Sequence, residues 1–274
     1  MTHNPRNHRY SASSIYSSTA ITDWYRRRYN VEIDPRQRPW PPSAQGASPA
    51  PLMIIGPGDV VFVPNPTYPY ALFGRHRRRG LQGAYLSSRV DFFDRLRRPL
   101  SRHGPENKKM LIINYCPSPT TLVVEGSSSS RSAWTSRRER PLVVRLAYAD
   151  IVFDSYKAPS FLECREAEDS KAWSSLPFQE LTCAGWRVGF AVGNRKLVGA
   201  LTRIKSYLDY GMFQPIQIAG IIALNGPQDC VAEWPTRMNR GTPSPESFRK
   251  AGWEIESRRP ACSSGQKIPD RSAP

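Results

Sequence analysis

Three short apolar runs set the limits on what this chain can become: Val60-Val61-Phe62-Val63, Met110-Leu111-Ile112-Ile113 and Leu142-Val143-Val144. Each is too short for a helix core and rich in β-branched residues, so each reads as a strand, the first two as buried strands. The turn Gly56-Pro57-Gly58-Asp59 introduces the first of them. A further strand and turn read at Val188-Gly189-Phe190-Ala191-Val192-Gly193. Helices alternate with these strands. Ala20 to Tyr29 is amphipathic, with Ala20, Ile21, Trp24 and Tyr25 at helical spacing and Arg26-Arg27-Arg28 on the wet side and at the end. Arg195 to Leu208 carries Leu197, Val198, Leu201 and Ile204 on one stripe, and a following helix runs to Asn225, where Gly226-Pro227 stops it.

Between these elements the periodicity is lost. Residues 36–51, 71–85, 126–140 and 163–183 are rich in Pro, Ser or Arg and read as disrupted segments, expected to be disordered. The 274 residues include 26 prolines, and 39 basic against 23 acidic side chains give a net charge of +16. That balance suggests a nucleic-acid or anionic partner. The densest basic run, Gly74-Arg75-His76-Arg77-Arg78-Arg79-Gly80, has no interleaved aromatics and is better read as solvated surface.

Other chemistries have little footing. Cys116, Cys164, Cys183, Cys230 and Cys262 form no CxxC pair, so a reducing compartment is expected. His3, His8, His76 and His103 lack metal-ligand spacing. GxSxG, P-loop and GxGxxG patterns are absent from the sequence. Met1 to Arg9 is polar, unlike a secretory leader, and no apolar run reaches the length of a membrane span. A cytoplasmic protein without a membrane partner is expected.

The stretch Ala184-Gly185-Trp186-Arg187-Val188-Gly189-Phe190 resembles the segment after the Schiff-base lysine in fold-type I, class I/II pyridoxal 5'-phosphate (PLP) aminotransferases. Further resemblances lie at Gly56 to Pro69, Leu146 to Leu162 and Arg249 to Glu256. Lys205 to Phe213 with Pro215-Ile216-Gln217 resembles the alanine (glutamate–pyruvate) transaminase branch. The resemblance implies an α/β fold: a three-layer α/β/α large domain with a mostly parallel sheet over residues 19–225. Residues 1–18 would be an N-terminal remnant, and 226–274 a truncated part of the small α+β domain. It implies PLP as cofactor, amino-acid and 2-oxo-acid substrates, a homodimer, and no nucleic-acid partner.

The resemblance also assigns roles by position. Tyr68, in Pro64-Asn65-Pro66-Thr67-Tyr68-Pro69, holds the place of the aromatic over the PLP ring. Tyr148 would face the phenolic oxygen, and Arg187 would bind the phosphate as a bidentate cation. Three positions depart from the pattern. Ser118 stands nearest the asparagine that bonds the phenolic oxygen, and Arg145 stands where an aspartate pairs with the pyridine nitrogen. Gln179, eight residues before Arg187, takes the place of the lysine. An amide cannot form the imine, so covalent catalysis is closed at that position. The phosphate cup and the arginine for the substrate carboxylate are absent as well.

The departures have the pattern of shifted reading frames. Phe178-Gln179-Glu180-Leu181 is compatible with TTC CAA GAG CTA, which read one base later gives Ser-Lys-Ser and the start of Tyr. Arg75 to Arg79 can hide Val-Ile-Ala-Gly, Ala261 to Gln266 can hide Met-Phe-Val-Trp-Ala, and Pro42 to Gln45 can hide Ile-Gly-Ser. All are family-like at their places. The expectation is therefore a truncated, frameshifted aminotransferase record whose literal polypeptide is inactive. The alternatives are a basic nucleic-acid-binding protein and a non-functional pseudogene product.

Overall fold

A computed structural model describes residues 15–35, 55, 59–65, 81–85, 108–115, 142–146, 149–150, 157–163, 172–177, 184–186, 188–208, 211–240, 245–250 and 252. Six strands form one sheet: β1 (Val60–Asn65), β2 (Leu81–Tyr85), β3 (Lys108–Tyr115), β4 (Leu142–Leu146), β5 (Ala172–Pro177) and β6 (Gly189–Gly193), in the order β2-β1-β3-β4-β5-β6. All pairings are parallel except β5 with β6. The three apolar runs lie within β1, β3 and β4. Parallel strands are covered on both faces, which is why they read as continuous rather than alternating apolar sequence.

The directions of the strands decide which chain ends meet along each edge of the sheet. The parallel strands share a direction, so the ends Asn65, Tyr85, Tyr115, Leu146 and Pro177 lie along one edge. Strand β6 runs the other way, and its first residue, Gly189, pairs with Pro177. Its beginning therefore lies at that same edge.

Helices meet β6 from both sides. The first helix, α1 (Ile15–Tyr29), buries Ala20, Ile21, Trp24, Tyr25 and Tyr29. Phe190 of β6 lies edge-on to Trp24 at 5.8 Å and to Tyr25 at 6.2 Å, the T-shaped geometry that aromatic quadrupoles favour. The next residue, Ala191, faces the other way and packs with Leu201 of α2 (Arg195–Leu208). Val198 of α2 joins Ile55, Val61, Val63, Met110 and Ile112 in the principal core cluster. Helix α2 starts where Gly193, at φ 149°, ends β6 in a conformation that favours glycine. Asn194 then caps it, its side-chain oxygen accepting the N–H groups of Lys196 and Leu197 at 3.0 and 3.3 Å.

Helix α3 (Gln214–Asn225) packs on α1. Pro215 sits in its first turn, where the missing N–H is harmless. Its carbonyl end is satisfied three ways. Gly226 N–H donates to Ile222 O at 2.8 Å, the Gln228 amide donates to Ala223 O and Gly226 O, and Arg27 of α1 donates to Leu224 O at 2.6 Å. The arginine also places a cation against the negative end of the helix dipole. Helices α4 (Asp229–Arg240) and α5 (Pro245–Lys250) follow.

Two expectations are corrected. The first helix begins at Ile15, five residues before Ala20, because Ser17 and Ser18 are buried with it rather than left in a loop. Disorder was expected over 71–85 and 163–183, yet β2 and β5 lie inside those ranges. Pairing partners on the sheet override weak local pattern: β5 is hydrogen-bonded on both sides, to β4 and β6. The remaining residues of these ranges, and of 36–51 and 126–140, lie outside the described residues.

Candidate active site

The sheet edge organises the site. Tyr68 follows the end of β1 by three residues and Ser118 follows the end of β3 by three. Tyr148 follows the end of β4 by two, and Gln179 the end of β5 by two. Arg187 precedes the start of β6 by two. These five residues themselves lie outside the described residues. The strand ends from which the chain enters and leaves them nevertheless share one edge, and in open α/β sheets ligands bind beyond the carboxyl ends of the strands.

Arg145 is the one candidate within a described element. It is the fourth residue of β4, an interior strand, and its register partners are Asn114 on β3 and Ser175 on β5. One residue back along the strands the row is Ile113, Val144 and Ser174, and two residues back it is Ile112, Val143 and Trp173, which is wholly apolar. The row Asn114–Arg145–Ser175 is wholly polar and lies one residue before the ends of β3 and β4. Ser175 was not singled out from the sequence because its segment shows no periodicity; only the pairing of β5 with β4 brings it beside Arg145.

Ion pairing fixes the chain just beyond β4. Arg28 of α1 donates through Nε to the Asp150 carboxylate at 2.6 Å, with both side chains largely buried. Farther on, Ala158, Ser160, Phe161 and Leu162 are buried, and the Glu163 carboxylate accepts the Ser160 N–H at 2.6 Å. The turn Ala184–Trp186 precedes Arg187, with Trp186 41% exposed. Lys205 is buried on α2, four residues beyond Leu201 on the same stripe. Among the described residues no group of His, Cys, Asp or Glu is arranged to hold a metal ion, and no helix is long and apolar enough to cross a membrane.

The sheet is mostly parallel and flanked by helices, an α/β architecture of the kind that carries ligand sites beyond its strand ends. The chain belongs to the family of aminotransferases of class I and II, whose model matches residues 3–241. It is 38% identical over 277 aligned residues to the glutamate-pyruvate aminotransferase AlaC of Escherichia coli, covering 97% of this chain and 66% of that protein. It is 33% identical to the LL-diaminopimelate aminotransferase of Moorella thermoacetica, covering 93% of this chain and 67% of that protein. The substrate-bound structure of BacF from Bacillus subtilis superposes with a TM-score of 0.83 at 26% identity, covering 99% of this chain and 71% of that one. The chain therefore spans about two thirds of the length of these relatives.

Pyridoxal 5'-phosphate is the cofactor of this family. At the positions that the resemblance assigns, the residue types do not fit its covalent, ring-protonated form: Gln179 would supply an amide where an amine is needed, and Arg145 a guanidinium where a carboxylate is needed. Arg187 remains suited in charge and shape to a phosphate.

Proposed function

We propose that this fold is an aminotransferase platform, built to move an amino group between an amino acid and a 2-oxo acid, and that the polypeptide as written does not complete the reaction. The observation that carries the platform reading is that the ends of β1, β3, β4 and β5 and the start of β6 share one edge, with Tyr68, Ser118, Tyr148, Gln179 and Arg187 within three residues of them in sequence. In this reading Tyr68 lies over the cofactor ring, Tyr148 faces its phenolic oxygen, Ser118 stands nearest the place of the asparagine that bonds that oxygen, and Arg187 holds the phosphate. Alanine and glutamate are the proposed amino donors, supported by the Lys205 to Gln217 resemblance and by the 38% identity to a glutamate-pyruvate enzyme. The LL-diaminopimelate relatives give a second reading of the substrate, and side-by-side assays with both donors separate the two.

The loss of activity rests on Gln179, because no proton shuttle or covalent attachment is available from an amide. Purified chain supplied with PLP, alanine and 2-oxoglutarate should form no pyruvate above a protein-free control. Clear turnover would overturn the inactive reading. Resequencing the gene across the codons for Ser174 to Gly185 tests its origin. A corrected base that restores a lysine supports a frame error, and an unaltered frame supports a pseudogene.

The domain reading has residues 19–225 as a three-layer α/β/α large domain, 1–18 as a remnant and 226–274 as part of the small domain. A cytoplasmic homodimer is proposed for the platform, without a nucleic-acid partner. The homodimer reading is supported by α3, apolar around most of its circumference with Ile222 58% exposed, and by Phe213 just before it, 50% exposed.

A further inference from the structure

We infer that Arg145 blocks transamination independently of the missing lysine: the end of β4 holds the ring nitrogen of bound PLP unprotonated, so the chain takes PLP as a phosphate-anchored ligand and not as an electron sink. This rests on the site reading above. Its basis is the placement of Arg145 on an interior strand of the described sheet. Strand β4 is bonded on both sides, by β3 and by β5, which fixes the level of Arg145 along the sheet. Its register neighbours, Asn114 and Ser175, are neutral and cannot cancel its charge with one of their own.

A carboxylate from elsewhere could in principle take over the missing acid's role. The last residues of the parallel strands, Asn65, Tyr85, Tyr115, Leu146 and Pro177, include no acid. The two described acids that follow β4 most closely are Asp150 and Glu163. Asp150 is bonded to Arg28 at 2.6 Å, and Glu163 accepts the Ser160 N–H at 2.6 Å. Both are committed to holding the fold. Among the described residues this leaves the Arg145 guanidinium as the charge at the end of β4, and it stays charged at any physiological pH. A like charge beside a cationic ring nitrogen lowers its pKa by about 1–3 units, which depletes the protonated ring about 10- to 1000-fold. Without that proton the ring withdraws electrons poorly, whatever group stands at position 179.

The two lesions separate by experiment. PLP labelled with 15N in the ring is added to full-length Gln179→Lys, Gln179→Lys with Arg145→Asp, and Gln179→Lys with Arg145→Lys. Covalent capture is read by borohydride fixation and intact mass, and ring protonation by the 15N chemical shift at neutral pH. All three variants should capture the cofactor. The ring nitrogen should be unprotonated in Gln179→Lys and in the Arg145→Lys variant, and protonated only with Arg145→Asp. Equal protonation in the Asp and Arg forms overturns the inference. Failure of every variant to capture PLP overturns the site reading itself, a distinct result. The unaltered chain gives a measurement free of substitutions: non-covalently bound PLP should lose its ring proton at lower pH than free PLP. A ring that titrates at the free value, or above it, overturns the inference.

Discussion

At the scale of single residues, Arg28 and Asp150 join elements that are far apart in sequence. Their pair is largely buried and 2.6 Å long, unlike the exposed pairs Arg26–Asp23 and Arg26–Glu32. Exposed pairs contribute about 0–1 kcal/mol at most. A charged hydrogen bond sheltered from water contributes about 1.5–3 kcal/mol. Asp150→Asn should therefore lower unfolding free energy by about that amount, while Asp23→Asn should change it by less than about 0.5 kcal/mol. A urea series on both variants, with the Arg28→Ala double-mutant cycle, measures the difference. Gly226 gives a second case. A Cβ there would stand 2.9 Å from Ile222 O, the carbonyl that accepts the Gly226 N–H. Replacing glycine by alanine usually gains about 0.4–1 kcal/mol through the unfolded chain. Here the neighbour is backbone and cannot swing away, so Gly226→Ala should destabilise by about 1–2 kcal/mol. A rise in the urea midpoint would refute this.

At the scale of elements, α2 and α3 have opposite characters. The buried face of α2 carries Val198 and Leu201, and Leu201 meets Ala191 of β6. Leu201→Ala should cost about 2–5 kcal/mol, as should Ile112→Ala in β3, because each empties a closed core position. Ile222 of α3 is 58% exposed, and Ile222→Ala should stay within about 0.5 kcal/mol in the monomer. Thermal denaturation of the three variants side by side checks the ranking. The strands β1, β3 and β4 were legible because a continuous apolar run has few other uses, and α2 because the stripe Leu197, Val198, Leu201 and Ile204 has one helical period throughout. Strands β2 and β5 were not legible. Leu81–Tyr85 and Ala172–Pro177 have weak patterns, and their state is decided by neighbours distant in sequence. The site was legible only as spacing: Gln179 and Arg145 stood out as departures from a pattern, whereas the partnership of Arg145 with Asn114 and Ser175 needed the register.

At the scale of the whole molecule, the net charge of +16 favours anionic partners without selecting among them. Binding to a labelled DNA duplex should be non-specific and should vanish as salt approaches about 0.2 M, because counterion release is then its whole source. Sequence preference that survives such salt would restore the nucleic-acid reading. The proposed homodimer is tested by light scattering, where twice the 31.0 kDa chain mass is expected.

The strand order β2-β1-β3-β4-β5-β6 also governs how the chain must assemble in time. Each parallel neighbour arrives only after a crossover, so Phe62 waits for Leu111, Leu111 for Leu142, and Val143 for Trp173. On a ribosome delivering about 5–20 residues per second, the growing sheet keeps one naked edge for many seconds. Strand β6 covers β5 only once Gly193 has emerged. Slow, non-local closure of this kind is the regime in which nascent chains meet chaperones or aggregate.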